Sequence, residues 1–176
     1  MTYTSINEAF SDFMRYEVNL DSGQSDRAKS SQNWMIEQLE AMNARDSSFP
    51  SFVHDYTLKY GSFKRKTKHR ELDDIDTLFV IPAHGIMYSP TYNRENEYRL
   101  EVPTTHSLYR YTEGGTGYLS SRKIINKIIK GVESVSQYQK ADIKRNGSAA
   151  VMKLSSYPWA FDIVPSFSDY PSKLLT

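Results

Sequence analysis

The chain has 176 residues, 39% hydrophobic and 13% aromatic, which is enough for one domain or slightly more with a real core and excludes disorder throughout. Lysine and arginine number 22 against 21 acids, so the net charge of +1 gives no global attraction to nucleic acid or an anionic membrane, and any phosphate binding must be local. The absence of cysteine excludes disulfides and thiolate metal sites, and an amino-terminal stretch carrying Glu8, Asp12 and Glu17 without an apolar run is neither a signal peptide nor a membrane span, so a soluble cytoplasmic protein is expected.

Ile6, Phe10, Phe13 and Met14 recur at helical spacing. After a polar lead-in with Asp21, Ser22 and Ser25, so do Trp34, Met35, Leu39 and Met42. Two amino-terminal helices follow, each expected to bury one face in the core. A polar break over 47–51 with Pro50 precedes residues 56–60, whose alternation and composition predict a strand ending at Gly61. A short basic turn then feeds a buried strand over 75–81, stopped by Pro82, and the two strands should lie side by side. Residues 83–118 read mainly as loop, with a short strand over 98–102. The glycine run Gly114, Gly115 and Gly117 lacks the lysine and hydroxyl of a phosphate-binding loop and reads as a flexible loop. Ile124, Ile125, Ile128, Ile129 and Val132 predict a helix capped by Ser120 or Ser121 and ending near Val135. The turn signal Asn146-Gly147 leads to strands over 149–154 and 159–164, separated by Tyr157-Pro158. This order predicts an α+β domain with a mixed β-sheet backed by helices. Residues 172–176 complete no obvious element, as though the chain had been cut there.

The chemistry concentrates between Gly61 and Asp76. Residues two apart on a strand share a face, so Asp74 and Asp76 project together while Ile75 enters the core. Two like charges on one rigid edge repel each other, but they suit a hard divalent cation, and magnesium, with manganese as its substitute, prefers carboxylates together with substrate phosphates. Gly61 permits close backbone approach, the Ser62 hydroxyl and neighbouring amides can face a phosphate, and the basic run 64–70 adds charge, with Arg65 and Lys66 the strongest candidates for phosphate contact. Asp73 falls before the strand or on its opposite face, where a solvated or capping role fits. A third carboxylate is offered by Asp162, a lone acid in the apolar run Phe161-Asp162-Ile163-Val164-Pro165, where an unpaired charge would be costly unless a cation compensates it. His54, His69, His84 and His106 have no ligand spacing, so neither zinc nor a histidine base is supported.

Gly-Ser, a spacer, Asp-hydrophobic-Asp and a later Asp resemble the signature of polymerase β superfamily nucleotidyltransferases, matched here by Gly61, Ser62, Asp74, Asp76 and Asp162. The stretches GSFKRKTKHRELDDID and FDIVPSF are similar to those of the bacterial cGAS/DncV-like enzymes, or CD-NTases, relatives of oligoadenylate synthases. The resemblance implies the nucleotidyltransferase fold across 1–176 and synthesis of cyclic or linear oligonucleotide signals from nucleoside triphosphates, ATP among them, in antiphage defence. Asp74 and Asp76 would hold both metal ions and Asp162 the acceptor-side ion, while Ser62 would hold the donor phosphates. Family members continue into a helical carboxy-terminal domain, so the expectation is a core lacking that domain, with a protein regulator or partner supplying the missing half. Transfer of a nucleotide to a protein, a tRNA or a small molecule, and a non-catalytic core that binds nucleotide or docks on a partner, are the competing readings.

Overall fold

The protein is described here from a computed structural model covering residues 5–69, 71–91 and 97–168. Arg70 of the basic run and residues 172–176 lie outside the described residues. Helix α1 (Ile6–Phe13) is capped by Ser5, whose hydroxyl accepts from the Glu8 amide, and a wider turn follows over Met14–Val18. Helix α2 (Ser22–Glu40) is capped by Asp21 and ends at Ala41, after which α3 (Met42–Arg45) adds one turn. The buried stripe of α2 is Ala28, Gln32, Met35, Ile36 and Leu39, while Trp34 is half-buried and meets Tyr138 edge to face, with ring centroids 5.2 Å apart.

The expected burial of the first helix is not observed. No residue of α1 is buried, and Ile6, Phe10 and Phe13 are 87%, 62% and 53% exposed. Helical periodicity encodes an apolar stripe, but whether the stripe is covered depends on what packs against it, which periodicity does not specify.

Strand β1 (Leu58–Tyr60) is shorter than expected because His54–Tyr56 forms a 3-10 turn, and it is followed by a one-turn helix, α4 (Gly61–Lys64), in place of a simple turn. Strand β2 (Asp74–Pro82) lies beside β1, as expected, and runs antiparallel to it. The segment read mainly as loop contains a hairpin, β3 (Met87–Pro90) with β4 (Tyr98–Glu101), set apart as a two-stranded sheet. Helix α5 (Ser121–Glu133) follows Ser120, whose side chain makes no capping bond. Strand β5 (Asp142–Asn146), which sequence reading missed, pairs antiparallel with β6 (Ala149–Lys153) across the Asn146-Gly147 turn.

Strand β7 (Ala160–Ser168) continues four residues past the expected end at Val164 and runs parallel to β2. Pro165 is tolerated because β6 pairs with β7 only as far as Ile163, so the missing amide breaks no bond to β6. The main sheet has the order β1-β2-β7-β6-β5 and is mixed, as expected for an α+β domain. Ile75, Phe79, Ile81, Phe161, Ile163, Ala150 and Met152 point from one face into the core formed with α2 and α5. Burying each large aliphatic or aromatic side chain there contributes about 1.5–3 kcal/mol before entropy is counted.

Gly131 of α5 lies against Phe49, and an added methyl there would overlap Phe49 Cε2 and stand 3.1 Å from its Cδ2 and Cζ. Phe49 is 2% exposed and packs edge to face on Phe52, so it has little room to yield. Gly131→Ala is therefore expected to destabilise the protein by about 1–3 kcal/mol despite alanine's better helix propensity. Chemical denaturation checks this, and an unchanged or higher midpoint would show that Phe49 can move aside. Among the described residues no helix is long and apolar enough to cross a membrane.

Candidate active site

The face of the sheet opposite the helices carries the acids. Asp74 and Asp76 alternate with buried Ile75 on β2, and the parallel register sets Asp76 opposite Asp162 and Asp74 opposite Ala160. The register is pinned at its start by the Ala160 amide, which donates to the Asp73 carbonyl at 2.8 Å. On the far side of β7, Val151 stands opposite Asp162, and Ala149, Val151, Ala160 and Val164 form a small apolar cluster on the same face. The two central acids therefore sit beside hydrocarbon.

That setting explains their proton affinities. Burial, followed by the charges of Asp74 and Asp162, raises the Asp76 carboxyl above its ordinary range, although Lys68 and Arg65 pull it down. Burial and then Asp74 raise Asp162, against the opposing charge of Lys153. The group is an array of mutually repelling carboxylates that are partly removed from water.

Gly61 completes one wall. Tyr60 is the register partner of Asp76, and the chain then turns with Gly61 at φ 77 into α4. The glycine lies so close to Asp76 that a methyl built on it would overlap Asp76 Oδ2 and stand 2.8 Å from Cγ. The turn is held by its own backbone: the Arg65 amide donates to Gly61 O at 3.2 Å, Lys66 to Phe63 O at 3.2 Å and Thr67 to Ser62 O at 3.0 Å. Ser62 is half-buried in the single turn of α4, Arg65 is close enough to act on Asp76, and Lys66 is exposed with a left-handed φ of 58.

Two neighbours, Tyr60 and Lys153, escaped sequence reasoning, and a third, Lys68, was expected only as one charge of the basic run. Lys68 Nζ donates to Asp74 Oδ1 at 2.7 Å and also to Asp73, and these bonds raise its pKa. Tyr60 lies within reach of the Asp76 and Asp162 charges, which, after burial, raise its phenol pKa. Lys153 acts on Asp162 from the end of β6. Their roles depend on strand register, which no local signal carries. Asp73, as expected, is a solvated neighbour that precedes the strand.

The donors are hard carboxylate oxygens, Lys68 already places a cation on Asp74, and Gly61 leaves Asp76 the room that a side chain would fill. Those features fit magnesium. Among the described residues no three potential ligands converge into a ready-made cage. An open array of this kind suits an ion that keeps part of its shell for water and phosphate oxygens.

No family model matches the chain. It is 35% identical over 162 residues to a probable cyclic nucleotide synthase of Bacillus cereus (strain VD146), a match covering 92% of this chain and 48% of that protein. The chain thus spans about half the length of this curated relative. Its fold is similar to that of CdnC from E. coli MS115-1, solved with ATP, at a TM-score of 0.56 and 17% identity over 92% of this chain and 41% of that one. The same protein in complex with HORMA-deltaN gives 0.55 and 16%, over 90% and 40% respectively. At such identities the structural likeness shows the fold alone.

Proposed function

The chain is a sequence relative of a probable cyclic nucleotide synthase and carries the nucleotidyltransferase fold of the bacterial cGAS/DncV-like group, and from that premise we propose that it is a divalent-metal-dependent catalytic core. It uses nucleoside triphosphates, ATP among them, to build cyclic or linear oligonucleotide signals in the cytoplasm for antiphage defence. The observation that carries this assignment is the juxtaposition of Gly61, Asp76 and Asp162 on three adjacent segments of one sheet face.

The Ser62 hydroxyl and Arg65, with Lys66 at the rim, bind the donor triphosphate and align its α-phosphorus. Asp74 and Asp76 would hold both magnesium or manganese ions, and Asp162 would share the acceptor-side ion. Lewis-acid neutralisation of the triphosphate charge is the chemistry the metal supplies. An acceptor ribose hydroxyl attacks the α-phosphorus, the bond to the β-phosphate oxygen breaks, and pyrophosphate leaves. Asp162, opposite Asp76 in the parallel register, is the carboxylate placed to receive the hydroxyl proton. CdnC has been solved both with ATP and with a HORMA protein, which supports nucleoside triphosphates as substrates and a protein partner or regulator for this chain.

The chain incubated with four labelled ribonucleoside triphosphates and magnesium or manganese is expected to yield pyrophosphate and a new oligonucleotide. Both should vanish in the Asp74→Asn/Asp76→Asn double variant. Product that persists in the variant would overturn the carboxylate assignment. Silence in both, with triphosphate still bound, would mean a binding core without catalysis.

A further inference from the structure

Directly behind the carboxylates, the core face of β2 holds a polar pair in an apolar layer. Gln32 of α2 is 2% exposed and Thr77 of β2 fully buried, in a core otherwise built there from residues such as Met35, Leu39, Ile75 and Phe79. Gln32 Nε2 donates to Thr77 Oγ1 at 2.9 Å and to the Asp76 carbonyl oxygen at 3.1 Å. Buried polar groups cost stability unless partnered, and two apolar side chains of the same shape would fill the space at least as well. Packing alone therefore does not account for the pair. What the amide does achieve is to tie the peptide between Asp76 and Thr77 to a nineteen-residue helix.

On the other face, the tolerance for movement is small. The Asp76 carboxylate lies against Gly61 with no room for a methyl, and its strand neighbour is Asp162. A shift or roll of β2 would close that gap or separate the two acids. We propose, on the basis of the metal-site reading above, that Gln32 is a positioning residue. Its amide fixes the Asp76–Thr77 peptide so that the Asp76 carboxylate is preset for the cation and triphosphate. Hydrogen bonds made directly to metal-ligating groups change metal affinity by about 10–100-fold when removed, and one made to the ligand's own peptide is expected at the low end of that range.

The test separates positioning from folding. In the full chain, Gln32→Met together with Thr77→Val removes both polar side chains and leaves apolar groups of nearly the same shape, so the melting temperature should fall only slightly, through the donor lost to the Asp76 carbonyl. Manganese is titrated by electron paramagnetic resonance in the presence of a non-hydrolysable ATP analogue, with Asp76→Asn alongside. The double variant is expected to bind manganese about tenfold more weakly. Binding within twofold of the wild type, with Asp76→Asn defective, would overturn the role of Gln32 and leave the carboxylate site standing. Binding unchanged in Asp76→Asn as well would remove the site and the positioning role together. Should the double variant fail to fold, Gln32→Met alone decides by the same titration and the same twofold criterion.

Discussion

Asp76→Asn is expected to lower nucleotidyl transfer by at least about 100–1000-fold while raising the melting temperature of the metal-free protein at neutral pH. The two effects share one cause. Asp76 stands in register with Asp162, two residues from Asp74 and beside an apolar cluster, and burial followed by these two charges raises its pKa. A folded-state pKa above the unfolded value contributes stability that is fully present below the unfolded value of 3.8 and is lost as pH rises through the folded one. At pH 7 the wild type has lost that contribution, and the neutral amide restores it.

Because the site is partly open and screened, the gain should be on the order of 2 °C, and it should disappear below the unfolded pKa, where Asp76 is itself protonated. Thermal melts at pH 3 and 7 without metal, together with turnover in magnesium, check both halves. A variant that melts lower at pH 7 would show that Asp76 serves the fold rather than opposing it. One that turns over normally would remove it from the chemistry. The opposite signs matter because a general structural role would move activity and stability in the same direction.

The parts of this site that were legible in sequence are those written locally. Gly61-Ser62, Asp74-Ile75-Asp76 and the acid in an apolar run are each readable from alternation within a few residues, as are β2, α5 and the Asn146-Gly147 turn. What escaped depends on partners far along the chain. The β5 strand DIKRN and the β3 strand MYSP are almost wholly exposed, so they lack the apolar alternation by which a half-buried strand is recognised. The apolar stripe of α1 is readable but stands uncovered.

Likewise, nothing local says that β7 lies between β2 and β6, and so nothing places Asp162 opposite Asp76 or Lys153 within reach of Asp162. Lys68 illustrates the same limit within a short span. It was read as one of several loop cations, and only the fold of the turn after α4 makes it the one that grips Asp74. Gln32 sits on the buried stripe of α2 and carries no signal in sequence that distinguishes it from a solvated glutamine.

Gly61→Ala is expected to be as damaging to activity as loss of the carboxylate itself, although it leaves every acid in place. The backbone at Gly61 has φ 77, where an L-residue costs about 1–2 kcal/mol. That alone would be survivable. The larger effect is steric: the new methyl overlaps Asp76 Oδ2 and stands 2.8 Å from Cγ and 3.2 Å from Cβ. Three atoms of one side chain are crowded at once, so a simple rotation that frees the oxygen still leaves Cβ tight. Asp76 cannot retreat by moving its strand, because β2 is paired on both sides, with β1 and with β7. The remaining outlets are a different Asp76 rotamer or displacement of α4, and either separates Asp76 from its partners or carries Ser62 and Arg65 away from the phosphates. A fall in turnover of at least about 100-fold is expected, with a stability loss of about 1–3 kcal/mol. Paired measurements of turnover and denaturation midpoint check it. A wild-type rate in Gly61→Ala would mean that Asp76 does not act from the position it occupies beside Gly61, and the assignment of that carboxylate would have to be given up.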